Sequence, residues 1–331
     1  MTGDPAAEGA KDGIIHAVAF PGNGQVRTLT AADLAEAASA PGWIWAHLDR
    51  RAEKTARILG EDLELPELVI RALLAEDTRP RFSQVGDGAL LILRGVNLNP
   101  GAEPEDMVSL RIWVDARRIV SVRLRPLIAV RETAGDIAAG SIPATSMALA
   151  ALITRKLVGL MGPVIASLDD ELDHLEDSLL KQAEPKLRGD LTDLRHETIV
   201  LRRYIAPQRD ALTQLSLAKL DLVDDLLRQE IRELADQVTR YVEDLDSIRE
   251  RAAVVQDELT NRIAERLNAN TYVLSLVAAI FLPLGLLTGL LGINVGGMPR
   301  VESPLAFWIV CVVLVVLGVF GVWLLRRFKW L

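Results

Sequence analysis

The segment LNANTYVLSLVAAIFLPLGLLTGLLGIN, residues 267–294, contains no Asp, Glu, Lys or Arg, and a second uncharged run, LAFWIVCVVLVVLGVFGVWLL, follows at 305–325. Crossing a bilayer takes about 20 apolar residues of helix at a rise of about 1.5 Å each, and both runs are long enough. A soluble helix of this length keeps a polar face, which neither run has. A transmembrane domain is therefore expected at 267–331, with one helix at 267–292 and a second at 304–326.

The connection, Val295 to Pro304, holds Gly296, Gly297, Pro299 and Pro304, the composition of a tight turn, and its charges Arg300 and Glu302 cancel. Arg262 and Arg266 precede the first span, whereas Arg326, Arg327 and Lys329 follow the second. The positive-inside rule then places both termini in the cytoplasm and the short loop outside, with Trp323 and Trp330 in an interfacial belt. The amino terminus shows no signal-peptide pattern, so the large N-terminal region is expected to stay inside.

Outside the spans the composition is that of an ordinary soluble protein. The 331 residues carry a net charge of −8, which argues against a nucleic-acid partner and suits attraction of cations. The single Cys311 lies within the second span, so neither a disulfide framework nor a cysteine zinc site is available. His16, His47, His174 and His196 lack ligand spacing and read as structural or surface residues.

Residues 1–12 are rich in Gly, Ala and charge and are expected to be disordered. Strand-like runs at Ile14–Phe20 and Trp43–Leu48 bracket a helix expected from Ala31 to Ala38 with Thr30 as its cap. Asp49 is placed to cap a helix through Leu59. Another helix starts near Pro66, with Leu68, Val69, Ala72 and Leu73 on its apolar side. Two hairpins follow: Arg81–Val85 with Ala89–Val96, and Val108–Val114 with Ile119–Leu124. The expectation for 1–142 is an α/β domain with a mixed sheet.

From 143 to 266 the period is helical, giving a long-helix stalk. One helix is expected from about Ala144 to Gln182, broken by Glu184-Pro185. A second carries heptad leucines interrupted at Pro207. A third starts near Leu220 and repeats Leu227, Ile231, Leu234, Val238, Tyr241, Leu245, Ile248, Ala252, Val255 and Leu259, steps that alternate four and three as in a coiled-coil seam. No breaker separates this seam from the first span. Its stripe continues through Ile263, Leu267, Thr271, Leu274, Ala278, Leu282 and Gly285. Two spans of one chain cannot enclose a water path, so any conduction needs several copies around an axis, and the seam supplies a reason to assemble.

The first span closes on Phe281-Leu-Pro-Leu-Gly-Leu-Leu-Thr-Gly-Leu-Leu-Gly-Ile-Asn294. Pro283 frees the Ala279 carbonyl, and Gly285, Gly289 and Gly292 allow close helix approach. Asn294 is strongly polar where the helix must end. A ring of such amides offers oxygens to a cation or to its water shell, although a lone Asn there also reads as a cap.

This run resembles the CorA family of divalent-cation transporters. So do Tyr204-Ile-Ala-Pro207-x-Arg209 and the tail Arg326-Arg-Phe-Lys-Trp, and the likeness spans essentially the whole chain. Gly292-Ile293-Asn294 in place of Gly-Met-Asn, with Arg94-Gly-Val-Asn97 and Glu105-Asp-Met-Val-Ser-Leu-Arg-Ile-Trp113, is similar to the ZntB branch, associated with zinc. The resemblance implies a homopentameric funnel and a selectivity motif of Gly292, Ile293 and Asn294, with Asn294 as the outer ring for a hydrated cation. Thr271, Leu274, Ala278, Leu282 and Gly285 would line the pore, with Asn268 near its inner mouth. The implied cargo is Zn2+, with Mg2+ or Co2+ as the alternative, and no permanently bound cofactor is implied.

Leu274 and Leu282 would form apolar constrictions that gate by excluding water. A neutral Asn ring suits a largely hydrated ion, and the lack of thiolate or imidazole ligands in the span is compatible with quick release of zinc. Between Leu267 and Pro299 only Tyr272 is ionisable, so a proton relay through the span would lack Asp, Glu or His. The sequence leaves passive passage and coupling to protons open; the resemblance to the ZntB branch implies coupling to a proton gradient, with the coupling groups outside this span.

The acidic face Asp169, Asp170, Glu171, Asp173, His174, Glu176, Asp177 reads as a solvated helix face, with cation sensing as the sharper alternative. Along the stalk, Arg228, Arg232, Arg240 and Arg249 are expected to pair with acids at i,i+3 or i,i+4. No phosphate loop or nucleophile motif points to an enzyme. A membrane-anchored coiled-coil scaffold or sensor remains as a reading of another class, and it has no need of Asn294.

Overall fold

The computed structural model describes residues 13–22, 24–76, 78–181, 186–292 and 305–327. The expectations for residues 1–12 and for Glu184-Pro185 lie outside that set. The chain divides into two compact units, Met1–Gln256 and Asp257–Leu331.

The first unit is built on a seven-stranded mixed sheet. In chain order come β1 (Ile14–Phe20), β2 (Arg27–Thr28), α1 (Leu34–Ser39), β3 (Trp43–Asp49), α2 (Lys54–Arg57) running into a π turn at Ile58–Asp62, and α3 (Glu67–Leu74). Then follow β4 (Arg81–Val85), β5 (Gly88–Gly95), β6 (Val108–Val114), β7 (Arg118–Arg123) and α4 (Ile128–Ala138). The strand order is β2-β1-β3-β7-β6-β5-β4, with β3 and β7 parallel and every other neighbour antiparallel. Both hairpins form as expected. The first turns at Gly86, whose φ of 58° suits glycine, and Gly88 must lack a Cβ because one there would lie 2.2 Å from the Trp113 ring. In the second, the Asp115 carboxylate accepts the Arg117 and Arg118 backbone N–H groups and the Trp113 indole N–H, which fixes the turn.

One sheet face packs on α1–α3 through Ala46, Leu48, Leu59, Val69, Leu73, Leu90, Val120 and Val122. Two local expectations change here. Thr30 does not cap a helix at Ala31: α1 begins at Leu34, and the Asp33 carboxylate accepts both the Thr30 N–H and hydroxyl. Leu68 is 64% exposed, and α3 buries only Val69 and Leu73.

The helices that complete the unit are α5 (Ser146–Gly159), α6 (Met161–Lys181), α7 (Leu187–Leu217) and α8, which begins at Asp225 and ends at Leu291. The single helix expected over Ala144–Gln182 is interrupted at Leu160, between Gly159 and Gly162-Pro163, two weak helix formers and a residue without an N–H. The expected break at Pro207 is absent. α7 runs through it, losing only the bond Pro207 cannot donate.

The coiled-coil reading of α8 is corrected more deeply. Its seam is buried within one chain: Ile231 is 1% exposed, Val238 and Leu245 0%, Ile248 1% and Ala252 0%. Polar bonds from α6 and α7 flank it. Arg202 grips Asp246 through two nitrogens (2.6 and 3.0 Å), Arg195 bonds Gln256, and Arg251 reaches Asp169, Asp173 and Glu176. The seam therefore closes the subunit's own bundle and is not free to join copies.

Among the described residues, three helical stretches could cross a membrane by length and composition: Ser146–Leu179, α8, and α9 (Ala306–Arg327). The first has half its apolar window buried, including Leu149 and Ile153 at 0% exposure, so it is a core helix of the first unit. The windows in α8 and α9 contain no buried residue.

Candidate cation-conduction site

Within the second unit, the membrane portion of α8 packs on α9 along one side only. Leu276, Ile280, Leu284 and Leu287 are half-buried amid exposed neighbours, and so are Val310, Leu314, Gly318 and Leu325 on α9. A Cβ on Gly318 would sit 3.9 Å from Leu284 Cδ1, so the glycine brings the two helices close.

The stripe read from sequence lies on the other side. At about 100° per residue, Leu267, Thr271, Leu274, Ala278, Leu282 and Gly285 centre about 160° round α8 from the α9-facing row. These positions are exposed in the single chain, Leu274 at 70% and Leu282 at 74%. Phe281 and Leu286, at 66% and 72%, are exposed as well, on intermediate faces that suit lipid. Asn268 is exposed and stands about 80° from the centre of the stripe, to one side of it. Gly292 is described, with its N–H bonded to the carbonyls of Thr288 and Gly289, whereas Ile293 and Asn294 lie outside the described residues.

The chemistry of this stripe is mixed at its start and apolar beyond. To either side of it, the Ser275 hydroxyl donates to the Thr271 carbonyl (2.8 Å) and the Thr288 hydroxyl to the Leu284 and Gly285 carbonyls (3.1 Å each), so both are satisfied within the helix. Pro283 lies inside α8 and leaves the Ala279 carbonyl without its usual donor. Arg262, just before the span, is held by Glu258 at 2.7 Å.

The soluble motifs converge on the joint between the sheet and α7. β4 pairs with β5 only as far as Arg81 opposite Ile92, which leaves the Arg94 N–H beyond the ladder. Gln208 Oε1, fully buried, accepts it at 2.7 Å. The Arg94 guanidinium lies 4.0 Å from the Tyr204 ring centre and donates to the Met107 and Thr78 carbonyls. Tyr204 and the neighbour of Pro207 thus lock α7 to the sheet, a docking role that pattern alone did not disclose.

Part of the acidic surface is taken up in ion pairs: Asp169, Asp173 and Glu176 with Arg251, and Asp246 with Arg202. The guanidinium of Arg251 has its pKa raised by its bonds to Glu176 and Asp173. Arg249 pairs with Asp246 at i,i+3 as expected, but Arg228 does not follow that pattern. It donates to the Ser216, Ala218 and Val223 carbonyls and ties the end of α7 to the start of α8. Among the described residues, no group of three or more His, Cys, Asp or Glu is placed to hold a metal ion.

His16 and His47 face each other across β1 and β3, and His47 is fully buried, with Nδ1 2.8 Å from the Ser121 hydroxyl. Burial, then the Arg123 charge, keeps both imidazoles below the usual histidine pKa, His47 well below.

An α/β domain joined by a very long helix to two adjacent apolar spans, one with an exposed uncharged stripe, is the architecture of a membrane transport protein. A family model described as CorA-like Mg2+ transporter protein matches residues 41–327, and the chain belongs to that family. It is 41% identical over 292 residues (87% of each chain) to the divalent cation transporter CmaX of Pseudomonas aeruginosa. It is 37% identical over 319 residues (96% of each) to the zinc transport protein ZntB of Pectobacterium carotovorum. The solved structure of full-length CmaX superposes with a TM-score of 0.84 at 38% identity, covering 98% of this chain and 100% of that one. The CorA magnesium transporter of Methanocaldococcus jannaschii gives 0.81 at 19% identity, covering 96% and 99%, a likeness of fold. Divalent-cation transport is the activity of this family, and the fold expected from sequence is the one found.

Proposed function

We propose that the protein carries zinc across the inner membrane through a pore built by five identical copies, each lending the membrane portion of α8. In this reading residues 1–142 and 143–266 form the cytoplasmic part and 267–331 the transmembrane domain, with both termini in the cytoplasm. The observation that carries it is the exposed stripe from Leu267 to Gly285 on the side of α8 away from α9. Leu274 and Leu282 act there as dewetting constrictions, and Asn294 supplies an outer amide ring for a hydrated ion. The intrachain seam moves the drive for assembly off Leu227–Val255 and onto the spans and other subunit surfaces.

Cysteine cross-linking tests the packing. In a Cys311→Ser background, Leu282→Cys should form disulfides between copies on oxidation, while Leu276→Cys should not. Cross-linking through Leu276→Cys alone would overturn the assignment. The family description, which names Mg2+, favours magnesium as a second reading. Proteoliposomes loaded with zinc or magnesium indicators separate the two, and repeating the zinc measurement with an imposed pH gradient reports coupling to protons.

A further inference from the structure

At the ends of β5 and β6, the sheet face carrying Arg94, Ser109 and Arg111 opens into a cavity of about 240 Å³, closed on one side by Tyr204 of α7. Two of the motifs noted in the sequence, Arg94–Asn97 and Glu105–Trp113, frame this space, and conduction makes no use of it. Arg111 is the unusual residue. It projects from a central strand, is only 1% exposed, and is the largest charged side chain in that interior. One of its nitrogens, Nη2, donates to the Ala75 carbonyl at the end of α3 (2.9 Å). Nε and Nη1 are buried and have no hydrogen-bond partner among the described residues.

Among the described residues this buried guanidinium has an acceptor on one nitrogen only and no ion pair. Water would satisfy the N–H groups but would leave the charge uncompensated in a low-dielectric site. The charges that act on it most, Arg50 and Arg94, have its own sign. Burial, then the Arg50 and Arg94 charges, pushes the Arg111 pKa down to about 10. Arg94 is held at the wall by its bonds to Met107 and Thr78, and the Ser109 hydroxyl is fixed 2.9 Å from that of Thr78. Glu76, Glu105 and Asp106 also line the cavity, and Glu76 stands out in solvent with its side chain 94% exposed. Those carboxylates weaken the pull on any anion, so a ligand here must be small enough to sit against Arg111 and clear of Glu105 and Asp106.

We propose that this cavity binds a small tetrahedral oxyanion of the phosphate and sulfate class on the Arg111 guanidinium, with Arg94 and Tyr204 forming its wall. Such an ion supplies acceptors in several directions at once along with the missing negative charge. The site would couple the cytoplasmic anion pool to the joint between the sheet and α7, because Tyr204 and Arg94 belong to both.

The test uses detergent-purified full-length protein at fixed ionic strength in sodium chloride, titrated calorimetrically with inorganic phosphate and separately with sulfate. Both should bind saturably to the wild type, at least tenfold more weakly to Arg111→Met, and two- to threefold more tightly to Glu105→Gln, which removes a carboxylate from the cavity. If Arg111→Met does not elute with the wild-type assembly, Glu105→Gln decides: tighter binding supports the site, and unchanged or weaker binding overturns it. No saturable binding to the wild type, full affinity in a folded Arg111→Met, or an equal response to chloride alone would also overturn it.

Discussion

Truncating Leu245 distinguishes a seam that closes one subunit from a seam that joins subunits. The side chain is 0% exposed within the single chain, between the Asp246–Arg202 pair and Ile248 on the same helix. Leu245→Ala removes its contacts and leaves a cavity, at a cost of about 3 kcal/mol. For a unit of this size that lowers the melting temperature by about 6–12 °C. Val254, 69% exposed and one residue off the seam, is the control, and Val254→Ala should cost less than about 0.5 kcal/mol. The assay is thermal melting of the full-length protein in detergent at two concentrations a hundredfold apart, with assembly followed by size-exclusion chromatography. The intrachain seam predicts a drop that is independent of concentration, with intact assembly below the transition. A Leu245→Ala variant that melts like the wild type but falls apart on dilution would refute the reasoning.

Three further outcomes follow from the same structure. His47 is held neutral by burial, so its folded pKa lies below the unfolded value. Its contribution to stability is complete above the unfolded pKa near 6.5 and is lost as the pH falls below it, at up to about 1.4 kcal/mol per pH unit, and His47→Gln should flatten that slope in melting curves between pH 7.5 and 5.5. His16, lowered in the same direction, supplies a smaller part of the slope. Replacing Arg251 by Met should leave Asp169, Asp173 and Glu176 facing one another, but with a side chain 36% exposed the loss should be about 1 kcal/mol and should grow as salt is lowered. Leu282→Asn should wet a constriction and raise basal metal influx several-fold in liposomes, whereas Phe281→Asn, off the stripe, should not.

What the sequence discloses and what it hides follow from how far each signal reaches. The two uncharged runs and the hairpins about Gly86 and Asp115 are set by neighbours a few residues apart, and each is visible in the string. α4 was missed because its buried side is made of Ala129, Val130, Thr133 and Ile137, too short and too weakly apolar to stand out as a period. Pro207 misled because a tertiary dock at Tyr204 and Gln208 holds the helix that proline alone would break. The seam misled for a different reason: a heptad repeat records that a stripe is covered and says nothing of which chain covers it. On the candidate site, periodicity grouped Leu267 to Gly285 on one side of the helix, and that side is exposed in the single chain. The side facing α9 needed coordinates, because the half-buried row from Leu276 to Leu287 is as apolar as the exposed faces around it.

The measurement that bears most directly on the transport account is zinc influx into proteoliposomes containing equal amounts of assembled wild type and Asn294→Ala. The account predicts saturable influx for the wild type and background influx for the variant. Undiminished zinc entry through a correctly assembled Asn294→Ala protein would contradict it.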